Sequence, residues 1–272
     1  MSELEAPVRP QPPVVLTIAG SDSGGGAGIA ADLLSINACG GHATLCVSAV
    51  TAQNTAAVDA VFTLTGQQIE AQISSVCNDF SIGAAKTGFL GSIDALEVAE
   101  KWSGQLGQLV VDPVLVTGRG VPMFGDDVID AYRRLFRGAA AITPNVAEAE
   151  LLSARRCDSV AKCEQAALAL AASTGRPIIV TGFLDGADAI DVFAHDADVY
   201  QMRRDRVRTN NVHGTGCSFS AALATYLARG QSIEEAVENA GLYVACALAS
   251  SADWQLGSGS GPIDHLAQVD LT

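Results

Sequence analysis

Residues 14–28 read VVLTIAGSDSGGGAG, an apolar run followed by a glycine-rich turn. The run Val14–Ala19 is typical of a buried strand, and the pattern after it predicts a helix over Ala27–Cys39 that ends at Gly40-Gly41. Glycines at such a turn let backbone N–H groups approach an anionic ligand, although a plain tight turn has the same composition. The turn lacks the Gly-Lys-Ser/Thr sequence of a Walker A loop. The stretch therefore predicts a strand–turn–helix unit whose turn is a candidate ligand site.

The same alternation of apolar runs and helical patterns continues along the chain. Capping boxes mark helix starts at Thr65 and Ser232, and residues 188–203 alternate as a hairpin does. Short strands between helices imply an α/β fold with a central, mostly parallel sheet and helices on both faces. In such sheets ligands bind at the carboxyl ends of the strands. Further strands are predicted over Ala43–Val50, Ser81–Thr87, Gln108–Asp112, Ala139–Thr143 and Pro177–Thr181, and helices near 93–102, 127–136, 146–153 and 159–173.

The composition predicts one folded domain behind a short tail. The chain has 272 residues, of which 49% are hydrophobic and 17% charged, which is far too apolar for a disordered chain. Four of the nine prolines fall within residues 1–13, so this tail is expected to be extended or disordered. We find no linker after it, and we expect a single domain over residues 14–272.

The charge balance excludes several classes of partner. A net charge of −14 gives the chain no electrostatic attraction to nucleic acid or to an anionic membrane surface. No apolar run reaches the roughly 18 residues of a membrane span, and residues 1–13 lack the apolar core of a signal peptide. Seven cysteines, an odd number with no C-x2-C pair, argue against a disulfide framework or a zinc site. The sequence therefore predicts a cytoplasmic protein.

The segment Asn211–Cys217 carries the clearest catalytic signal. Gly214 and Gly216 flank Thr215 at the expected start of a helix, where free backbone N–H groups can bind an oxyanion. A cysteine in the first turn, Cys217, is expected to have a lowered pKa and to serve as a general base toward a substrate hydroxyl. The alternative is a buried structural cysteine.

Two acids follow predicted strands. Asp112 ends the strand Gln108–Asp112, and Glu148 lies three residues after Asn145, next to the strand Ala139–Thr143. Carboxylates at this edge of the sheet suit Mg²⁺ that accompanies a nucleotide. Asp112 equally suits a turn or a helix cap, and Asn145 with Glu148 equally forms a capping box.

Polar residues near the first two strands suggest recognition of a small heterocycle. Gln53, in the segment Thr51–Thr55, can read the donor and acceptor edge of a ring, although turn chemistry explains the same residues. Asp32 lies in the first turns of the helix after the glycine-rich turn, where a solvated helix charge is the alternative.

Taken together, these motifs resemble the hydroxymethylpyrimidine/phosphomethylpyrimidine kinases of thiamine biosynthesis, in the ribokinase-like superfamily. The resemblance covers residues 14–266. It implies a three-layer ribokinase-like fold and Mg²⁺-dependent phosphoryl transfer from ATP to 4-amino-5-hydroxymethyl-2-methylpyrimidine and then to its monophosphate. The matching stretches are IAGSDSGGGAGI at 18–29, AD at 31–32, AQNT at 52–55, VDPV at 111–114, TPN at 143–145 with EA at 148–149, and HGTGC at 213–217.

The resemblance also implies roles for individual residues. Cys217 takes the position of the catalytic base, and Gly214, Thr215 and Gly216 form the anion hole. Asp112 and Glu148 organise Mg²⁺ and the phosphates. The pyrimidine contacts are Gly20, Asp32 and Gln53, and the nucleotide contacts are Asn145, Thr181, Asn210 and, as a hypothesis, Arg119.

The chain departs from the family pattern at three positions that often carry lysine. Thr181, Asn210 and Ser258 stand there, and the whole chain has only Lys86, Lys101 and Lys162. Fewer cations facing ATP weaken phosphate binding, and Arg119 is a candidate replacement. The loss casts most doubt on the second phosphorylation, which needs a cationic pocket for the first phosphate.

Two alternatives to the pyrimidine kinase stay open. One is a pyridoxine/pyridoxal kinase, because this activity recurs among near relatives. The other is a pyrimidine-binding protein that has lost catalysis, because of the missing lysines. The apolar and alanine-rich faces also allow a homodimer, which is common among relatives.

Overall fold

The apolar run at residues 14–19 forms a strand in the interior of a nine-stranded sheet. In the computed structural model, residues 11–116, 121 and 123–267 are described. Strand β1 lies between β2 and β4 and runs parallel to both. The helix predicted after the glycine-rich turn is present as α1, over Gly28–Ala38.

The described residues alternate between strands and helices. The strands are β1 Val14–Gly20, β2 His42–Gln53, β3 Val58–Thr63, β4 Ile82–Thr87, β5 Gln108–Val111, β6 Ala141–Ile142, β7 Ile178–Asp185, β8 Asp188–His195 and β9 Asp198–Asp205. The helices are α1 Gly28–Ala38, α2 Gly66–Cys77, α3 Ile93–Trp102, α4 Asp126–Phe136, α5 Val146–Ser153, α6 Val160–Thr174, α7 Thr215–Ala228 and α8 Ile233–Ser250, with a short 3₁₀ helix at Ser103–Gln105.

The sheet is mostly parallel, as predicted. Its strand order is β3-β2-β1-β4-β5-β6-β7-β8-β9. The five pairs from β2 to β7 are parallel, and the three pairs that involve β3, β8 or β9 are antiparallel. Because the parallel strands end at one edge, the motifs that follow them meet there. We call this the carboxyl edge.

Helices cover both faces of the sheet, which confirms the three layers. Successive strand residues point to opposite faces, so Leu16 joins a core formed with α2–α6 and Val15 joins a core formed with α1, α7 and α8. In β5, Val111 joins the first of these cores and Val110 joins the second. The two faces are therefore covered by different sets of helices, and α7 presents its N-terminus at the carboxyl edge.

Two parts of the sheet were not predicted from the sequence. Strand β3 pairs antiparallel with β2, and five of its six residues are exposed, so no alternation of buried and exposed residues marks it. Strand β7 continues beyond Thr181 to Asp185, because an irregularity between Val180 and Phe183 lets it follow β8.

The structure describes only part of each end of the chain. Of the tail predicted over 1–13, residues 1–10 lie outside the described part, whereas the carbonyl oxygen of Pro13 accepts a hydrogen bond from the N–H of His42. All seven cysteines are described, and each is a free thiol. No helix within the described residues is both long and apolar enough to cross a membrane.

Candidate active site

The glycine-rich turn is organised around the carboxylate of Asp22. This carboxylate accepts hydrogen bonds from the backbone N–H groups of Gly24, Gly26 and Ala27, at 2.8, 3.1 and 2.9 Å. These donors were expected to face an anionic ligand, but the protein's own acid takes them. The turn is therefore held in one shape from within, which a plain flexible turn is not.

His213 joins this turn to the start of α7. Its Nε2 lies 2.8 Å from Oδ2 of Asp22 and 3.4 Å from the side-chain nitrogen of Gln53. Burial raises the pKa of Asp22, but the hydrogen bond from His213 and the backbone donors outweigh it, and the pKa lies below its usual value. The pair thus brings together the glycine-rich turn, the end of β2 and the segment before α7.

The N-terminus of α7 packs directly against the glycine-rich turn. Gly214 has φ +89°, and a Cβ there would overlap the carbonyl oxygen of Gly26. Helix α7 begins at Thr215, and the first N–H groups of a helix have no acceptor within it. The N–H of Thr215 donates instead to the carbonyl oxygen of Val212, at 3.4 Å, so the N–H groups of Gly216 and Cys217 are the ones placed where an anion can bind.

Cys217 lies in the first turn of α7, as predicted, but the expected lowered pKa is wrong. Burial raises the pKa of the thiol to about 12, and the carboxylates of Asp32 and Asp112 raise it further. The Lys86 charge and the Gly28 N–H oppose this shift without reversing it. In this environment, removal from water outweighs the stabilisation of a thiolate by the helix dipole.

The two predicted metal carboxylates lie at neighbouring strand ends. Asp112 accepts a hydrogen bond of 3.0 Å from Ser220 of α7. The carboxylate of Glu148 accepts hydrogen bonds from the N–H groups of Leu115 and Asn145, at 3.1 and 3.0 Å. Both acids are buried, at 6% and 2% exposure. Burial raises both pKa values, and the charge of Asp112 adds to the shift of Glu148.

Asn145 and Glu148 form the predicted capping box of α5. The Asn145 side chain accepts from the N–H of Glu148, and the Glu148 side chain accepts from the N–H of Asn145. The capping interpretation of this pair is therefore confirmed. It leaves lone pairs on the Glu148 carboxylate, so capping and metal binding do not exclude each other.

Asp32, predicted to contact the pyrimidine, lies within the first turns of α1. It is fully buried, and its two oxygens bind Nζ of Lys86 at 2.7 Å and Oγ1 of Thr17 at 2.6 Å. The sequence missed Lys86, whose position in β4 resembles an ordinary strand residue. A charged residue inside an otherwise apolar strand was the available signal.

A cavity of about 560 Å³ opens beside the α7 N-terminus. Its lining brings Asn145 and Thr181 together with Thr215 and Gly216, and adds apolar side chains of α7 and α8. A bridge between Asn145 and Thr181 connects the N-cap of α5 to the middle of β7 at this wall. The size and mixed lining suit a nucleotide.

Three other predicted site residues, Asn210, Gly20 and Arg119, are not among the described lining of this cavity. The carbonyl oxygen of Asn210 accepts a hydrogen bond from Ser260. Gly20 ends β1, and a Cβ there would lie 3.0 Å from the ring of Phe89. Arg119 falls outside the described residues.

A second cavity, of about 580 Å³, lies away from all these motifs. It is lined by Pro13, Cys39, Tyr226 and Arg229, among others, near the start of β1 and the C-terminal end of α7. None of the predicted site residues is among its described lining, so its size does not make it the active site.

Comparison with known proteins gives consistent matches. The family model for phosphomethylpyrimidine kinase matches residues 22–264. The chain is 39% identical to the hydroxymethylpyrimidine/phosphomethylpyrimidine kinase of Streptomyces coelicolor over 265 residues, covering 96% of this chain and 98% of that protein. It is 41% identical to a thiamine biosynthetic bifunctional enzyme of Arabidopsis thaliana, covering 93% of this chain but only 50% of that protein.

Solved structures give the same fold. The pyridoxal kinase of Bacillus subtilis, in an ADP complex, matches with a TM-score of 0.87 at 31% identity, covering 94% of this chain and 98% of that one. The phosphomethylpyrimidine kinase of Clostridium difficile matches with a TM-score of 0.75 at 32% identity, covering 86% of this chain and 98% of that one.

Proposed function

Because the chain belongs to the phosphomethylpyrimidine kinase family, we propose that it transfers the γ-phosphoryl group of ATP to 4-amino-5-hydroxymethyl-2-methylpyrimidine, and then phosphorylates the resulting monophosphate. The observation that carries the proposal is the position of the α7 N-terminus. Thr215 and Gly216 line the same cavity as Asn145 and Thr181, and Cys217 follows them in the first turn of α7. One turn further, Ser220 donates a hydrogen bond to the buried Asp112.

In this proposal Cys217 removes the proton from the attacking hydroxyl group. The hydroxyl oxygen then forms the new bond to the γ-phosphorus while the bond to the β,γ-bridging oxygen breaks. Gly214, Thr215 and Gly216 form the proposed anion hole, in which the N–H groups of Gly216 and Cys217 stabilise the negative charge on the transferring group. Phosphoryl transfer needs mainly positioning and charge stabilisation, which this arrangement supplies.

Asp112 and Glu148 fit Mg²⁺ by the chemistry of their donor atoms. Among the described residues there is no group of three or more His, Cys, Asp or Glu that forms a closed metal site. Two carboxylates suit Mg²⁺, which keeps several water and phosphate ligands. The buried hydroxyl of Thr143 has no protein partner and is a further oxygen donor at this edge. A bound Mg²⁺ would neutralise charge on the ATP phosphates.

The pyrimidine is assigned to the region around Gly20 and Gln53. The side chain of Gln53 lies next to His213 and offers both a donor and an acceptor. Asp32 acts from beneath this region rather than by contact, since both of its oxygens are occupied.

For the nucleotide we propose contacts from Asn145 and Thr181, which line the cavity, and, as the resemblance implies, from Asn210 and Arg119. Thr181, Asn210 and Ser258 lack the charge of the lysines often found at their positions. We therefore expect the second phosphorylation to be slower than the first.

A pyridoxal kinase activity is the second candidate. It is supported by the TM-score of 0.87 to the pyridoxal kinase of Bacillus subtilis, which exceeds that to the Clostridium difficile phosphomethylpyrimidine kinase. Pyridoxal also carries a hydroxymethyl group that Cys217 can deprotonate. A binding protein without turnover is disfavoured by the presence of Asp112, Glu148 and Cys217 together.

We also propose a homodimer that forms through β3. This edge strand exposes Val58, Val61 and Phe62, the last to 63%, and within the described residues only β2 pairs with it. Phe62→Glu should shift a dimer to a monomer in analytical ultracentrifugation, whereas a monomeric wild-type protein would contradict this proposal. A cytoplasmic location is proposed from the seven free thiols.

The test of function is ADP release with Mg²⁺-ATP and, in parallel, hydroxymethylpyrimidine, its monophosphate and pyridoxal. We expect turnover on both pyrimidines, with product masses that show one or two added phosphates. Cys217→Ala should lower kcat by roughly 100-fold or more. Turnover on pyridoxal alone would replace the proposed substrate, and binding of pyrimidine without turnover on any compound would contradict the kinase.

A further inference from the structure

The cavity beside the α7 N-terminus, which we assign to the nucleotide, contains an ion pair that the proposed reaction does not use. Asp191 of β8 and Arg204 of β9 both line this cavity. Nη1 of Arg204 lies 2.9 Å from Oδ2 of Asp191, and the two side chains are only 14% and 15% exposed. Fixing a long cation in a largely buried place costs side-chain entropy and hydration, so its position calls for an explanation.

Contacts with β8 and α8 hold the Arg204 side chain in place. Besides the bond to Asp191, Nη2 donates a hydrogen bond of 3.4 Å to the carbonyl oxygen of Glu238 in α8. The guanidinium group packs directly on the backbone of Gly241, because a Cβ added there would overlap Cζ and both terminal nitrogens. Gly241 also lines the cavity. A flat cation is therefore fixed in the cavity wall before any ligand binds.

Asp191 connects this cation to the part of the wall that carries Thr181. Its other oxygen, Oδ1, accepts a hydrogen bond of 2.9 Å from the N–H of Gly182. Gly182 follows Thr181, has φ +79° and lies in the irregular part of β7. The same carboxylate thus positions Arg204 and the strand segment that carries a proposed nucleotide contact.

Arg204 lies far from the place where phosphate is expected to bind. The side chain of Asn211, which precedes α7, donates a hydrogen bond to the carbonyl oxygen of Ser251, just past the C-terminal end of α8. Gly241 lies ten residues before Ser251, which is about 15 Å along a helix axis. If the phosphates of ATP occupy the α7 N-terminus, the part of the molecule that reaches Arg204 is therefore the base.

We propose that Arg204 binds the base of the nucleotide, with the flat face of its guanidinium group stacked on the adenine ring. This inference rests on the proposed function. Guanidinium groups stack on aromatic faces, and the attraction is stronger where water is excluded. Two other roles remain to be tested against this one. Arg204 could instead replace the missing lysines and bind phosphate, or it could serve stability alone.

The decisive comparison is between Asp191→Asn and the double variant Asp191→Asn/Arg204→Leu. These two proteins differ only at Arg204, and neither leaves Asp191 as an unpaired buried charge. Arg204→Lys keeps the positive charge but lacks the flat face. Arg203→Leu is the matched control, because Arg203 pairs with Asp188 at 3.0 Å and is not among the described lining of the cavity.

Thermal unfolding is measured on the ligand-free proteins, and Kd is measured for ATP and for tripolyphosphate with Mg²⁺ and without an acceptor. We expect the double variant to bind ATP roughly tenfold more weakly than Asp191→Asn. Tripolyphosphate has no base, so its affinity should be the same in both proteins. Arg204→Lys should bind ATP more weakly than the wild type, whereas Arg203→Leu should bind both ligands as the wild type does.

The proposal is overturned if ATP and tripolyphosphate lose affinity equally, since Arg204 would then act on the phosphates. It is also overturned if the double variant binds ATP as tightly as Asp191→Asn does, since Arg204 would then serve stability alone. If the double variant does not fold, Arg204→Lys still decides, because full ATP affinity in that protein would contradict stacking. ATP binding needs no acceptor, so wild-type protein that binds ATP without turnover on any pyrimidine would contradict the proposed function alone.

Discussion

At Cys217 two physical effects act on the thiol in opposite directions. The α7 N-terminus and Lys86 favour the thiolate, whereas burial and two nearby acids favour the thiol. The effect of burial is the largest, and it raises the pKa of the Cys217 thiol to about 12. A base with so high a pKa is deprotonated in only a small fraction of molecules near neutral pH.

The pH dependence of turnover follows from this pKa. We expect kcat/KM for the pyrimidine to rise about tenfold per pH unit from neutral pH to about pH 9, because each unit increases the thiolate fraction tenfold. Cys217→Ala should retain only a weak residual rate without this slope. A plateau of the wild-type profile below pH 8 would show that the thiol has a much lower pKa than its burial indicates.

Glu148 presents a conflict between stability and function. Burial and the neighbouring Asp112 raise its pKa from 4.5 to about 8. Between these two values the unfolded chain ionises first, so stability is lost as the pH rises toward the folded pKa. Without a bound metal ion, ionisation of the buried Glu148 therefore destabilises the folded protein.

Glu148→Gln should therefore stabilise the ligand-free protein at pH 8 and above, by about 1–2 kcal/mol, while it lowers kcat. The gain is smaller than the pKa shift alone implies, because the amide nitrogen of Gln cannot accept the backbone N–H bonds that the replaced carboxylate oxygen accepts. Urea unfolding at about pH 5 and pH 8 measures it. A gain that is equal at both pH values would rule out ionisation as its cause.

At the scale of single elements, the start of α7 depends on one backbone conformation. Gly214 combines a left-handed φ with close approach to Gly26, so both strain and contact exclude a side chain. Gly175, which ends α6, has φ +65° and open space around it. A side chain at Gly175 would thus cause backbone strain alone, whereas a side chain at Gly214 would cause both strain and a steric clash.

Gly214→Ala should lower kcat by on the order of 100-fold, since the displaced loop misplaces the N–H groups of the anion hole. Gly175→Ala is the matched variant and should lose only about 1 kcal/mol of stability, with turnover unchanged. Equal turnover in both variants would show that the anion hole does not depend on the packing of Gly214 against Gly26.

Helix α8 tests a local feature that the sequence predicted. Ser232 and Glu235 form the expected capping box. Ser232→Ala should reduce the free energy of unfolding by about 1 kcal/mol, because one helix N–H loses its acceptor. Turnover should not change, and Glu238→Ala, which removes an exposed side chain of α8 and leaves the cap intact, is the control. A loss of turnover would place α8 closer to the chemistry than proposed.

At the scale of the whole molecule, the net charge of −14 opposes the compact state. Salt screens this repulsion, with a Debye length of about 10 Å at 0.1 M. We expect Tm to rise by a few degrees between about 0.01 and 0.15 M NaCl at neutral pH. Near pH 4.5, the isoelectric point of the sequence, the increase should disappear. A salt-induced decrease at neutral pH would show that attractive ion pairs dominate.

The sequence predicted most of the fold because its signals are local. Apolar runs in β1 and β5 and capping boxes at Thr65, Asn145 and Ser232 need no distant partner to be recognised. Strand β3 was missed because its exposed residues show no alternation, and its pairing with β2 alone defines it.

The sequence by itself determined the layered α/β fold, the family and the motifs that converge at the carboxyl edge. Only the tertiary structure decided the surroundings of Asp32 and Cys217. Asp32 proved to be buried against Lys86, a residue 54 positions away, and Cys217 acquired its high pKa from burial and from acids on other elements. Solvation and charge depend on neighbours that are distant in the chain, so they cannot be read from a local pattern.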